Sequence, residues 1–425
     1  MKHDVLRALK AMPIIDSHEH LPHEKDILTA THDVLDLMTP YVCDNLMTCG
    51  MSEAEWRRAN RKTRPFAERY AIVSPYLPHI RHTTYFKSMM RGARLCYGMK
   101  DFTLSECERV NALMAQGMHT AALLREHRIE RALTFVGYGG LDYFSDSEVL
   151  TPVPTVSLIT PKTPSDLELL SSVSGVEVTD SETLRGAIRA LFAQYGGLGL
   201  RNIKLGGSYN RVPDYRTPCP EEAEAQLQAV RRGKITCSRV LGENNPVLSL
   251  DGLKALDDLV VHACVELAGE QGMNTVIHTG IHAWNKNDPK ACHAEALTEL
   301  IAAREGQSFT LLHLGYPHMG ETLLLCKYFR HVSLDLAWLH ILDRRAAVET
   351  VKRVIELLPT NKIVGFGGDV CLPVNTVGNL EISLENLAEA LADLVTAREM
   401  TASEAEELAY AWLYENPKRI YGLQD

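Results

Sequence analysis

No Cys-x-x-Cys pair occurs in this chain of 425 residues: its ten cysteines, at positions 43, 49, 96, 107, 219, 237, 264, 292, 326 and 371, follow no regular spacing. Without an oxidising context they read as mostly reduced, and Cys96, Cys264 and Cys326 lie in helical apolar patterns where a thiol behaves as a small hydrophobe. None sits in a recognisable nucleophile setting. A Lys/Arg-rich run is also missing, and the formal charge is -10. Phosphate binding normally leaves a basic patch, so nucleic acid is not an expected partner. Nor does any stretch approach the roughly 18 uninterrupted apolar residues of a membrane span. Met1–Lys10 lacks the apolar core of a signal peptide. A soluble, cytoplasmic protein is the expectation, without internal repeats or low-complexity tracts.

What the chain does have is 45 % hydrophobic content, enough for a large core in one oversized α/β barrel or in two to three ordinary domains. Short β-branched runs alternate with longer amphipathic stretches, the pattern of β-then-α units around a parallel sheet. Eight strands are predicted: Pro13–His18, Arg131–Val136, Val153–Ile159, Leu200–Leu205, Asn274–His278, Phe309–His313, His331–Leu336 and Lys362–Phe366. Their number suggests a closed (β/α)8 TIM barrel, with residues 1–425 as a single domain. The helical pattern Gly252–Gln271 shows three- and four-residue apolar spacing. Two intervals exceed a plain crossover. The first, Leu21 to about Arg128, is rich in helix formers and aromatics and reads as a helical insertion at or beside the barrel mouth. The second, Gly206 to about Leu250, holds Pro213, Pro218, Pro220 and Pro246 and reads as a loop with one helix, Glu221–Arg232. The tail from Leu380 reads as two helices split at Thr401-Ala402-Ser403-Glu404, a helix-start pattern.

Polar residues recur where the apolar β-runs stop: His18 and His20, Lys204, His278, His313, and Asp369 just past the last strand. In extended backbone residues i and i+2 face one side, so the two imidazoles of His18-Glu19-His20 can converge on one ion. A barrel gathers all these strand exits into one ring. His18, His20 and His278 supply nitrogen donors and Asp369 an oxygen, a set that suits one zinc ion and can also hold manganese or iron. Water bound to such an ion loses a proton near neutral pH, with Asp369 to accept it, and His313 can polarise a substrate carbonyl or act as a second acid. Lys204, Tyr209 and Arg211 read as a carboxylate-binding set.

Taken together, Ile14-Ile15-Asp16-Ser17-His18-Glu19-His20, Asn202-Ile203-Lys204, Ser208-Tyr209-Asn210-Arg211, Val276-Ile277-His278-Thr279-Gly280, Leu311-Leu312-His313-Leu314-Gly315-Tyr316-Pro317, Ser333-Leu334-Asp335-Leu336-Ala337-Trp338 and Val364-Gly365-Phe366-Gly367-Gly368-Asp369 resemble the amidohydrolase superfamily over nearly the whole chain. The likeness is to its amidohydrolase-2 branch, and within that to the domains of fungal FluG-type and plant nodulin-like proteins, relatives of the uronate isomerases. The resemblance implies that His18 and His20 bind the metal, that His278 is a further ligand or near neighbour, and that Asp369 is ligand and general base. His313 would contact substrate or metal. Lys204 would be either a carbamylated bridge between two metals or a substrate contact, and substrate contact is the preferred reading. His282 competes with His278 as ligand and otherwise lies in the substrate pocket with Tyr209, Arg211 and Trp338. His23, His318 and His340 are expected at the surface. Gly367-Gly368-Asp369 departs from the branch's usual Gly-Ser-Asp.

The function these readings favour is a metal-dependent hydrolase acting on a small, carboxylated substrate through metal-activated water. A uronate-isomerase-like sugar-acid isomerase is the alternative, supported by Thr83-Thr84-Tyr85 and Arg91-Gly92-Ala93-Arg94 in the insertion. A decarboxylase of the same branch and a non-enzymatic binding barrel are the remaining ones. A homo-oligomer is expected.

Overall fold

The computed structural model describes residues 1–234, 250–284 and 287–424. Among these described residues eight parallel strands form, at β1 Ile14–Glu19, β2 Ile129–Val136, β3 Leu150–Pro154, β4 Asn202–Leu205, β5 Asn274–Ile277, β6 Ser308–Leu312, β7 Val332–Asp335 and β8 Ile363–Val364. They pair in chain order as β1-β2-β3 and β4-β5-β6-β7-β8. The bridge between Thr155 and Lys204 joins the two sheets. On the other side the Ser17 N–H donates to the Phe366 carbonyl (3.2 Å) and the His20 N–H to Val370 (2.9 Å), so the sheet returns on itself. The chain is a (β/α)8 TIM barrel.

Seven strands fall within a residue or two of their expected places, and β3 is the exception. It runs Leu150–Pro154, and Val156–Leu158 is a 3-10 turn. Val156 and Ile159 are buried while Leu158 is about half exposed. Burial at i and i+3 is the signature of a 3-10 turn, and three apolar residues there imitate a strand in the sequence.

Side chains from most strands fill the barrel interior: Ile15, Leu133, Phe135, Val153, Val276, Leu312 and Val364 form one apolar layer with Tyr421. Tyr421 reaches that layer from the C-terminal tail, its hydroxyl donating to Asp335 and its carbonyl accepting from Asn202 Nδ2 at 2.8 Å. A barrel core is packed rather than hollow, and here the tail completes the packing. The expected helix start at Thr401 is present, with Thr401 and Glu404 capping reciprocally. The expected helix in the second interval runs Pro220–Arg231. Cys237 and Pro246 lie outside the described residues.

Between β1 and β2 the chain folds eight α-helices with an apolar core of their own, containing Leu35, Met38, Leu46, Trp56, Phe86 and Met89. They dock through Thr84–Tyr97 onto the helix Pro373–Thr396. The latter starts seven residues earlier than its apolar pattern suggests, because Pro373 at the first turn is compatible with helix and the polar residues behind it are buried. Asn375 Nδ2 donates to the Leu37 carbonyl (2.9 Å), and Ser88 hydrogen-bonds Asn379. The crossing is backbone against backbone: a Cβ at Gly378 would lie 2.1 Å from the Ser88 carbonyl oxygen, and one at Gly92 2.1 Å from that of Val374. Among the described residues no helix is long and apolar enough to cross a membrane.

A methyl group at this crossing forces the helices apart. Gly378→Ala is expected to lower unfolding stability by about 1–3 kcal/mol, read as a shift of the urea midpoint; an unchanged midpoint would contradict the docking described.

Candidate metal centre and cavity

The residue after β8 sets the centre. Asp369 adopts left-handed backbone (φ 56°), and its N–H donates to the His18 carbonyl at 2.7 Å. This turns its carboxylate inward, with Oδ1 3.4 Å from His18 Nε2 and 3.3 Å from His20 Nε2, and Oδ2 3.6 Å from His313 Nε2. His313 (φ 64°) and Trp338 (φ 65°), near the exits of β6 and β7, share the left-handed conformation. A non-glycine residue there costs about 1–3 kcal/mol and persists where the surroundings over-determine it, often at functional sites. Three consecutive strand exits carry this strain.

Two buried carboxyls lock the seam beneath. Asp16 Oδ1 accepts the His18 and Gly368 N–H groups, both at 3.1 Å, and Glu19 Oε2 accepts that of Val370 at 2.8 Å. Burial pushes both carboxyls up, Asp16 to about 7, so together they retain a proton near neutral pH. A Cβ at position 368 would lie 2.1 Å from Glu19 Oε1. The Gly-Gly-Asp departure is therefore the space that Glu19 fills.

The imidazoles are oriented by backbone carbonyls. His20 Nδ1 lies 3.1 Å from the Phe135 carbonyl and His313 Nδ1 2.9 Å from that of Ala337, which assigns a proton to Nδ1 in each and turns each Nε2 toward Asp369, that of His313 as a lone pair. His278 Nε2 contacts the Ile281 carbonyl at 2.9 Å, leaving its Nδ1 as acceptor, 3.1 Å from His313 Nε2. Two lone pairs thus face each other without a proton of their own, a contact that a proton or a cation relieves. Burial holds His18 and His278 well below the ordinary histidine range and His313 at about 4. Burial would raise Asp369, but His18 and its neighbours outweigh that and hold its carboxyl well below the usual range. Neutral imidazoles around an ionised carboxylate fit a divalent cation. The donor atoms of His18, His20 and Asp369 lie within 4.8 Å of one another. His278 is not in that group and reaches it through His313.

Above the centre opens a cavity of about 540 Å³ lined by His18, His20, Lys204, Tyr209, His278 and Asp369, among others. Lys204 Nζ is buried and has no hydrogen-bond partner among the described residues, 4.9 Å over the Phe135 ring. Burial pushes it down to about 7, against the attraction of Asp369 and Asp335. The insertion contributes Tyr41, which donates to the Asp369 carbonyl and stacks on Trp338 (4.8 Å) and Tyr85 (5.0 Å). Tyr209 accepts the Ala283 N–H at 3.2 Å.

Some expected substrate contacts move behind the wall. Arg211 is buried and saturated: Nε meets Asp257 at 2.7 Å, one terminal nitrogen meets Asp214 at 3.0 Å, and the other pairs with Asp258. It is a structural tie from the β4 exit to the helix Lys254–Glu270, because three carboxylates already satisfy its guanidinium. Trp338 backs Tyr41, and His282 backs His278 in a stack with centroids 5.2 Å apart. Neither lines the cavity. His23 and His340, expected at the surface, are buried; His23 caps the helix Glu24–Thr29 and contacts Asp146 at 2.9 Å, and His340 contacts the Gly365 carbonyl at 3.1 Å. The cavity walls that sequence reading missed include Tyr41, Lys162, Thr163, Asp166 and Cys371. Lys162-Thr163-Pro164-Ser165-Asp166 is a helix-start pattern, a signal for a loop at a strand exit that was available in the chain.

Against solved structures, the fold matches a uronate isomerase of Thermotoga maritima with a TM-score of 0.78 at 15 % identity, covering 99 % of this chain and 97 % of that one. A glucuronate isomerase of Caulobacter crescentus matches with a TM-score of 0.78 at 18 % identity over 100 % of this chain and 94 % of the other. A candidate metal-dependent hydrolase of Lactobacillus casei follows with 0.66 at 14 % identity and 99 % of both chains. No family model and no curated protein matches the chain. The chain has the fold of the uronate isomerases from end to end, in agreement with the superfamily resemblance carried by its motifs.

Lys204 gives this site a pH signature. Its folded-state affinity for protons is depressed from the ordinary 10.5 to about 7, so between those values the unfolded chain binds more protons and stability rises with pH. Lys204→Met removes that term. The variant is expected to exceed the native protein in urea midpoint at pH 7, with the gap closing toward pH 10; a gap independent of pH would contradict a depressed lysine.

Proposed function

We propose that the protein is a metal-dependent enzyme acting on a small carboxylated polyol, and that its reaction is the aldose–ketose interconversion of a sugar acid. The observation that carries this reading is the meeting of His18, His20 and Asp369 at the floor of a cavity that also presents Lys204 and Lys162. Zinc is the ion that best suits two imidazoles and a carboxylate, with manganese or iron as alternatives. When bound, a divalent ion supplies Lewis-acid polarisation of a substrate oxygen.

The residues divide the remaining work. Moving hydrogen between adjacent carbons needs a group that both takes and returns a proton near neutral pH. Lys204, at about 7, has that affinity. Asp369, held far lower, is better suited to hold the cation than to act as base, which shifts the base role expected for it. Tyr209 beside His278, with ring centroids 4.8 Å apart, offers a hydroxyl to the substrate's own. Lys162 supplies a second cation for the carboxylate, the part expected of Arg211. The end-to-end fold match to two sugar-acid isomerases supports this reaction class. Hydrolysis of a carboxylated amide or lactone is the second reading, and the fold match to the candidate hydrolase supports it.

Incubation with a panel of hexuronates in deuterated water, followed by NMR, separates the two. Conversion of aldose to ketose with label at the carbon beside the carbonyl is expected, abolished by chelation and by Lys204→Met. An inert uronate panel beside turnover of amides or lactones would overturn the isomerase reading. His18→Ala is expected to lose the ion of this centre and at least about 100-fold in activity, since removing even an outer-shell partner of a metal ligand costs about 10–100-fold; full metal occupancy in that variant would contradict the assignment.

A further inference from the structure

A second group of metal-type donors lies apart from the cavity, where the loops that follow β5 and β6 meet. His293 ends the 3-10 turn Pro289–Cys292, and His318 immediately precedes the helix Met319–Tyr328, with Glu321 in its first turn. His318 and Glu321 stand at i and i+3 on a helix start, so their side chains share one face. Their donor atoms and those of His293 all lie within 4.8 Å of one another. His293 Nδ1 is 2.8 Å from Glu321 Oε1, and the two imidazole rings stack with centroids 4.0 Å apart and planes 22° from parallel. A cavity of about 390 Å³ opens beside them, lined by His318, Glu321, Thr350 and Arg353 among others.

We propose that His293, His318 and Glu321 bind a second divalent cation, of the zinc class, that clips the β5 and β6 loops together. Two imidazoles and one carboxylate form a three-ligand set with room for water in the fourth position. Donors around a tetrahedral zinc ion stand about 3.4 Å apart, from bonds of about 2.1 Å. The group is within a side-chain adjustment of that spacing. The three residues are half-buried, which lets an ion enter while restricting the rings. The adjoining chain says what the clip holds. Cys292 Sγ lies 3.8 Å from His282 Nδ1, His282 stacks on His278, and the same loop supplies Ala283 and Trp284 to the cavity wall. The proposal does not depend on the reaction assigned to the cavity.

The test is metal stoichiometry of the full chain, by mass spectrometry after zinc loading and dialysis against a weak chelator. The native protein is expected to hold two ions. Glu321→Gln and His318→Ala should each leave one, and that one should be removed by adding His18→Ala. Zinc is also expected to raise the melting temperature of His18→Ala but not of His18→Ala combined with Glu321→Gln, a readout that needs no activity. A single ion in the native protein, lost with His18→Ala and unaffected by Glu321→Gln, overturns the second site and leaves the cavity reading intact. A single ion lost only with Glu321→Gln supports the clip and contradicts the cavity reading. No bound ion, or no zinc-dependent rise in His18→Ala, overturns the clip.

Discussion

The rest of the site depends on the hydrogen-bonded seam between β1 and the segment after β8. There the Asp369 N–H meets the His18 carbonyl and the His20 N–H meets that of Val370. These bonds close the barrel and, in the same register, bring a carboxylate from one end of the chain to imidazoles from the other. A one-residue slip would exchange the faces of every side chain along the strand. Asp16 and Glu19 resist that slip because their carboxyls bond backbone N–H groups on both sides of the seam. Buried carboxyls are costly unless satisfied, and the proton that this pair retains lowers the cost of placing two of them side by side.

The helical insertion extends the same constraint upward. Tyr41 reaches the carbonyl of Asp369 itself, and its stack with Tyr85 and Trp338 ties the insertion to the β7 exit. Docking of the insertion and shaping of the cavity are thus one packing problem. The glycine crossing with Pro373–Thr396 anchors the insertion from the outer side, and the aromatic stack anchors it over the donors. Within the cavity wall, burial of the Lys204 ammonium outweighs its attraction to Asp369 and Asp335 and accounts for its depressed proton affinity.

The barrel was legible in the chain because its strands are short apolar runs ending in polar residues, a pattern that periodicity detects. The donors His18, His20 and Asp369 were legible for the same reason: each follows an apolar run, and the barrel topology supplies their meeting. Roles that depend on partners were not. Arg211 looked free for a substrate because Asp257 and Asp258 lie about 46 residues away on a helix whose buried acids resemble ordinary surface charge. Trp338 and His282 sit next to the right residues but one layer behind them, since a left-handed turn at Trp338 re-aims that exit. Tyr41 belongs to a segment with no strand signal of its own, so only the folded chain brings it to the cavity, whereas Lys162 follows the third strand at a helix start that the sequence does signal. Glu19, between two histidines, reads as an exposed charge in the sequence and is instead the side chain that requires Gly368.

The central claim is that one cation binds across the β8–β1 seam. Crystals soaked in zinc, measured at the zinc absorption edge, test it directly. An anomalous peak is expected about 2.0–2.2 Å from His18 Nε2, His20 Nε2 and an Asp369 carboxylate oxygen. A cavity floor without such a peak, in crystals where zinc is bound elsewhere, would contradict it.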